Sequence, residues 1–167
     1  AKSWISVLEA GFIVFLLKPY HNNFNKTLVK MPKLYFYDPG LAAYLLNIKD
    51  ASQIKTHYSK GALFESLVLS EFLKQRFNQG RAADCYFWRD KKGNEIDCLI
   101  DQGQSVLPVE IKAGRTVSED YFKGVEYLSK IAGNKAEKPL IIYGGSQNQK
   151  RTKAEVISWS DLSSLQL

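Results

Sequence analysis

The sequence predicts an α/β fold of the α+β kind, with helices packed on a mixed β-sheet, and three observations carry that prediction. Residues 94–112, NEIDCLIDQGQSVLPVEIK, alternate apolar and polar side chains on both sides of a glycine-bearing turn, the pattern of a half-buried hairpin. Residues 61–77 place apolar side chains at helical spacing. From Gly61 onward the elements read helix, three strands, helix, strand, strand, which interleaves the two types along one chain.

Taken in order, Trp4 to Ala10 reads as a helix with Trp4, Val7 and Leu8 as a core-facing stripe, ended by Gly11. Phe12 to Leu17 is a strand-like apolar run, and His21 to Lys26 a polar loop. A second strand within Thr27 to Tyr37 alternates Leu34 and Phe36 against Tyr35 and Tyr37. Asp38 is a good helix cap and Pro39 suits the first helical position, with Leu41, Tyr44, Leu45 and Ile48 as the apolar stripe that follows. Helix, strand, polar loop, strand resembles the back half of a winged helix, with residues 22–30 as the wing. Its functional reading is DNA contact through Lys18, Lys26, Lys30 and Lys33, against a packing or domain-coupling module.

Residues 49–60 are polar and read as a linker, which divides the chain into a segment 1–48 and a domain 61–167. Within the helix 61–77, about 100° per residue puts Glu65 at the centre of the apolar arc, beside Ala62, Val68, Leu69 and Phe72. A carboxylate on an inward face needs a partner, either Arg76 along the helix or a functional group elsewhere. Cys85 to Trp88 reads as a strand, with Arg89 leading into the turn that opens the central hairpin. Val117 to Ile131 reads as a helix with Tyr121, Val125 and Leu128 on one stripe. Pro139 to Tyr143 and Ala154 to Trp159 are the last strands, GGSQNQKR between them an exposed loop, and Ser160 or Asp161 caps a final turn.

The central hairpin carries the chemistry. With a two-residue turn, Asp97 lies opposite Pro108 and Glu95 opposite Glu110, so that Asp97, Glu110 and Lys112 share a face. Opposed residues stand about 5 Å apart and diagonal ones about 7–8 Å, close enough for two carboxylates to hold one small cation. Hard cations such as Mg²⁺ or Mn²⁺ take oxygen ligands, often one or two carboxylates completed by water and phosphate. The plainer alternative is a surface salt bridge between Lys112 and either acid.

The composition fits this picture. Of 167 residues 45% are hydrophobic and the net charge is +6, enough apolar surface for a core and against disorder. Residues 1–60 hold eight lysines against three acids, whereas the rest holds 15 basic and 14 acidic residues. The basic first third points to a polyanionic partner or to ordinary solubilising charge. Cys85 and Cys98 stand in strand-like runs as buried thiols, with no zinc-type spacing. The longest apolar stretch, 11–17, is too short to cross a membrane, so a cytoplasmic setting without membrane partners is expected. The chain opens on Ala inside a helix, which reads as a piece of a longer protein.

Glu65, Asp97 and Glu110-Ile111-Lys112, laid on the order helix, three strands, helix, strand, resemble the restriction-endonuclease-like PD-(D/E)XK superfamily. The resemblance implies that Asp97 and Glu110 bind Mg²⁺ or Mn²⁺, with the Ile111 carbonyl and Glu65 completing the site directly or through water. It implies that Lys112 supports the attacking water. More of the chain is similar to the C-terminal region, of unknown function, of prokaryotic AAA-type ATPases. WISVLEAGFIVFLL, KLYFYDPGLAAYLL, GALFE, FWRD, EID and VEIKAG occur in that order. This implies an N-terminal P-loop ATPase domain as partner, absent from this chain, which has no GxxxxGK[ST] motif.

The leading expectation is therefore a metal-dependent nuclease-like domain acting on DNA, with Glu65, Asp97, Glu110 and Lys112 as its catalytic set. Arg89 and Arg115 at strand ends, with Lys26 and Lys30, would hold phosphate. The alternative is a non-catalytic module that binds nucleic acid or protein under control of the ATPase. A third is an oligomerisation region.

Overall fold

The computed structural model describes residues 2–21 and 31–165. The expected wing, with Lys26 and Lys30, lies outside the described residues. In chain order come α1 (Lys2–Ala10), β1 (Val14–Pro19), β2 (Lys33–Phe36), α2 (Pro39–Leu45), α3 (Ala51–Thr56) and α4 (Lys60–Asn78). There follow β3 (Cys85–Arg89), β4 (Glu95–Asp101), β5 (Val106–Lys112), α5 (Lys123–Ala132), β6 (Leu140–Tyr143), β7 (Gln149–Lys150) and β8 (Glu155–Ser158). Single 3₁₀ segments precede α5 (Glu119–Phe122) and follow β8 (Trp159–Ser164).

Among the described residues the strands form one mixed sheet in the order β2-β1-β3-β4-β5-β6-β8-β7. The hairpins β1–β2, β3–β4 and β4–β5 are antiparallel, while β5, β6 and β8 run parallel. Each face carries its own core. On one, Val68, Leu69, Phe72 and Leu73 of α4 pack against Phe87, Cys98, Ile100, Val109 and Ile111. On the other, Val125 and Leu128 of α5 pack against Trp88, Ile96, Leu99 and Ile141. Each fully buried side chain of this size contributes about 1.5–3 kcal/mol over its exposed state. Gly80, at φ +68°, ends α4 and lets the Arg81 N–H reach the Arg76 carbonyl at 2.9 Å.

The α/β class holds, and several local expectations change. The first strand is Val14–Pro19 rather than 12–17. The α1 stripe is not core: Trp4 is 74% exposed and Val7 63%. Tyr44 and Leu45 of α2 are exposed as well, and Ala42 takes the inward position. Asp38 does cap α2, accepting the Gly40 N–H at 2.7 Å. The polar stretch 49–60 contains α3, whose cap Asp50 accepts two backbone N–H groups. The helix expected over 117–131 starts as a 3₁₀ turn at Glu119 and becomes α-helical at Lys123. The GGSQNQKR stretch holds a short edge strand, β7, and the closing 3₁₀ segment is capped by Ser158.

Two changes bear on the site. The β4–β5 hairpin closes through four residues: Asp101 pairs with Val106 and Leu99 with Pro108. Gly103, at φ +86°, and the bond from the Gln102 N–H to the Ser105 carbonyl hold that turn. The register thus slips by two from the expected one, an even step that by itself leaves side-chain parity unchanged and brings Asp97 level with Glu110. The second change is a bulge. Tyr86 pairs with Leu99 but Trp88 with Ile96, so Asp97 and Cys98 together oppose Phe87. The extra residue breaks the alternation, and Ile96 packs with Leu99 rather than with Cys98 and Ile100.

Candidate functional site

The bulge re-aims Asp97. The β4–β5 ladder runs as far as Cys98 opposite Val109. One step further, the Asp97 carboxylate accepts the Ile111 N–H at 2.8 Å. Lys112, the last residue of β5, places its Nζ 2.5 Å from Glu110 Oε1 and 3.7 Å from Asp97 Oδ2. One ammonium at the end of β5 therefore serves two carboxylates, although the bulge has re-aimed Asp97. Glu110 lies on the α5 face beside Gly124, where an added Cβ would crowd the Glu95 carbonyl at 3.0 Å and stand at ordinary contact distance, 3.5 Å, from Glu110 Oε2.

The electrostatics follow from burial. Glu110 is pushed up to about 7, by burial first and by the Asp97 charge second, against the pull of Lys112. Burial also raises Asp97, with Lys112 opposing and Glu65 adding to it. For Lys112 burial acts downward, but Asp97 and Glu110 outweigh it and hold the ammonium above its ordinary value. Glu110 Oε2 is buried without a hydrogen-bond partner among the described residues. A carboxylate oxygen left in that state is costly unless a cation or donor reaches it.

A second cluster adjoins the first. Glu65 is partnered neither by Arg76 nor by solvent alone. Tyr35 donates its hydroxyl to Glu65 Oε1, and Lys33 Nζ lies 3.4 Å from the same oxygen. Lys33 also pairs with Glu95 at contact distance and stands 5.3 Å over the Phe87 ring. Arg76 instead pairs with Asp84 at 2.7 Å. For Lys33, burial acts downward, but Glu65 and Glu95 outweigh it and hold the ammonium charged. For Tyr35, burial and the Glu65 charge both raise the hydroxyl and keep it a donor.

The structure thus brings together Glu65, Asp97, Glu110, Ile111 and Lys112, and adds Lys33, Tyr35 and Glu95. Lys33, a candidate DNA contact in the winged-helix reading, faces carboxylates. The signal for it was present but ambiguous: Lys33 and Tyr35 are two residues apart on a strand and share a face. Glu95 begins the same strand as Asp97. Arg89 lies 3.6 Å from Glu95 and remains half-exposed. Arg115 stands apart, on the wall of a neighbouring cavity.

No group of three or more His, Cys, Asp or Glu side chains converges on a metal-sized point among the described residues. Asp97 and Glu110, with one orphaned oxygen, nonetheless suit a hard divalent cation that takes two carboxylates and completes its shell with water and phosphate. No helix of the described residues is long and apolar enough to cross a membrane. Cys85 and Cys98 are free and buried.

Comparison with known families gives two matches. Residues 60–162 match a family model described as a domain of unknown function, DUF4143, and residues 1–52 match a second domain of unknown function, DUF8612. No curated protein matches the chain.

Proposed function

The chain belongs to the DUF4143 family, a domain family of unknown function, and from the chemistry of its carboxylate cleft we propose that it is a nuclease-like domain that hydrolyses DNA phosphodiesters with Mg²⁺ or Mn²⁺. The observation that carries this reading is the placement of Asp97, Glu110 and Lys112 around one another at one end of the central strands, with a buried, unpartnered oxygen on Glu110. The order α4, β3, β4, β5, α5, β6 supports assigning a restriction-endonuclease-like PD-(D/E)XK core. The helix and hairpin before it are in keeping with a partial winged helix. An AAA-type ATPase domain would be its partner in the longer protein.

In this proposal Asp97 and Glu110 hold the cation, with the Ile111 carbonyl as a further ligand and Glu65 acting through water. When bound, the ion polarises the phosphodiester and acidifies the attacking water. Lys112 orients that water and neutralises charge that develops on the phosphate. Asp97 keeps its orientation through the Ile111 N–H. Arg89, beside Glu95, holds a neighbouring phosphate.

One observation favours a second reading. Lys33 and Lys112 already pair with Glu65, Glu95, Asp97 and Glu110. A cluster so compensated also suits a non-catalytic module that binds nucleic acid or protein under ATPase control. The two are separated by incubating labelled single-stranded, double-stranded and branched DNA with the protein in Mn²⁺ or in EDTA. Cutting that needs Mn²⁺ and is lost in Lys112→Ala supports the nuclease. Equal cutting by both proteins, or none by either, contradicts it for this chain.

A further inference from the structure

The strand directions put more than the carboxylates at one end of the strands. β3 and β5 end there and β4 begins there. β6 and β8, parallel to β5, also end there. Ligands of α/β sheets bind beyond the carboxyl ends of parallel strands. Beyond β5, β6 and β8 lies a cavity of about 530 Å³, a size within the range of small-molecule sites.

Its lining is chemically one-sided. Arg115 and Arg151 contribute to it and, among the described residues, no carboxylate does. Trp159 also lines it and is 46% exposed, which leaves part of its indole open to a ligand. The floor is the Gly144-Gly145 turn. A Cβ on Gly144 would meet the Ala113 carbonyl at 2.8 Å, and one on Gly145 would run into the Tyr143 ring, so only glycine permits this approach.

The cavity is also pre-formed. The Ser158 hydroxyl, fully buried, donates to the Gly145 carbonyl at 2.7 Å, and the Ser158 N–H donates to Asn148 Oδ1 at 2.7 Å. The Tyr143 hydroxyl donates to the Gln147 carbonyl at 2.7 Å and accepts the Gln147 N–H. Gln149 Oε1 accepts from both Nε and Nη2 of Arg151 and fixes the plane of its guanidinium. Lys112 is joined to the rim, since its carbonyl accepts the Gly144 N–H at 3.0 Å.

Two cationic forks, an open aromatic face and polar side chains describe a site for a phosphate with an attached base. A paired base buries its face in the duplex stack and leaves the indole nothing to cover. We propose that this cavity binds one unpaired nucleotide of single-stranded DNA, with its base on Trp159 and its phosphate on Arg115 and Arg151. β8 is two strand spacings, ~10 Å, from β5, so the nucleotide lies a short step along the strand from Lys112. The proposal rests on DNA being the substrate of the carboxylate cleft, and it deepens that reading: single-stranded or branched DNA is preferred over plain duplex.

The test is fluorescence anisotropy with a labelled oligothymidylate and a duplex of equal length, both in EDTA, so that binding is read without cutting. Wild type binds the single strand more tightly. Trp159→Ala weakens that binding about 5- to 150-fold, the worth of one stacked base. Arg151→Gln and Arg115→Gln each lower the salt dependence by about 0.7 in log–log slope. Thermal melts confirm that each variant is folded, and the exposed arginines carry the test should Trp159→Ala not fold. Tighter binding of duplex, or single-strand binding that is unchanged in the folded variants, overturns the proposal. Cutting is scored separately in Mn²⁺. Trp159-dependent binding without cutting leaves the pocket standing and removes the nuclease. Cutting with Trp159-independent binding removes the pocket alone.

Discussion

Glu110 sits where burial and a neighbouring negative charge act together, and its pKa near 7 makes the site pH-sensitive. An unfolded Glu titrates near about 4.3. Because the folded value is higher, Glu110 contributes stability that is complete below that pH and lost as pH rises toward 7. Cation binding runs the other way, since it needs the carboxylate. Mn²⁺ affinity is expected to increase as pH rises through 7, with proton release on binding. Calorimetry in buffers of different ionisation enthalpy measures both, and a pH-independent affinity between 6 and 8 would contradict the assignment. Lys33 makes a second residue-scale prediction. Lys33→Ala leaves Glu65 and Glu95 without their ammonium and is expected to cost about 1–2 kcal/mol, reduced from a buried pair by partial exposure. Mn²⁺ should raise the Tm of this variant more than that of wild type, read by thermal melts with and without the ion. That Asp97, Glu110 and Lys112 stand close together was legible from their places on two neighbouring strands, but the bulge that re-aims Asp97 was not. Lys33 and Tyr35 were not, because their partners lie more than 25 residues away, across a contact that only the folded sheet makes.

At the scale of elements, α4 decides how well the cleft is held. It carries Glu65 on the same helix that buries Val68, Leu69 and Phe72 against β3, β4 and β5. Phe72→Ala is expected to cost about 3–5 kcal/mol, read from urea unfolding, and to loosen the Glu65–Tyr35 contact with it. The helix was legible from its apolar period. The β4 bulge was not: a single extra residue leaves no compositional mark, and it arises where Asp97 leaves the ladder to accept the Ile111 N–H. The start of α5 was misplaced for a similar reason. Glu119 to Phe122 have helical spacing, yet they form a 3₁₀ turn that seats Phe122 in the core before the α-helix begins.

For the molecule as a whole, one end of the strands gathers its polar chemistry. Lys33 starts β2, Arg89 ends β3, Glu95 and Asp97 start β4, Lys112 ends β5, and Trp159 follows β8. β1 pairs parallel with β3, so the first segment extends the same sheet and supplies Lys33 and Tyr35 to the acids of the second. The sequence divides these segments at residues 49–60, and patterning reports each element's faces but not which strand it joins. Exposure of Trp4 and Val7 has the same origin: helical spacing shows that a stripe exists and not what covers it. The central claim is a cation held by Asp97 and Glu110. It is tested most directly by calorimetric titration of Mn²⁺ into wild type and Asp97→Ala at pH 8. The account predicts saturable binding by wild type and at least a tenfold weaker affinity in the variant; equal affinity in the two proteins would contradict it.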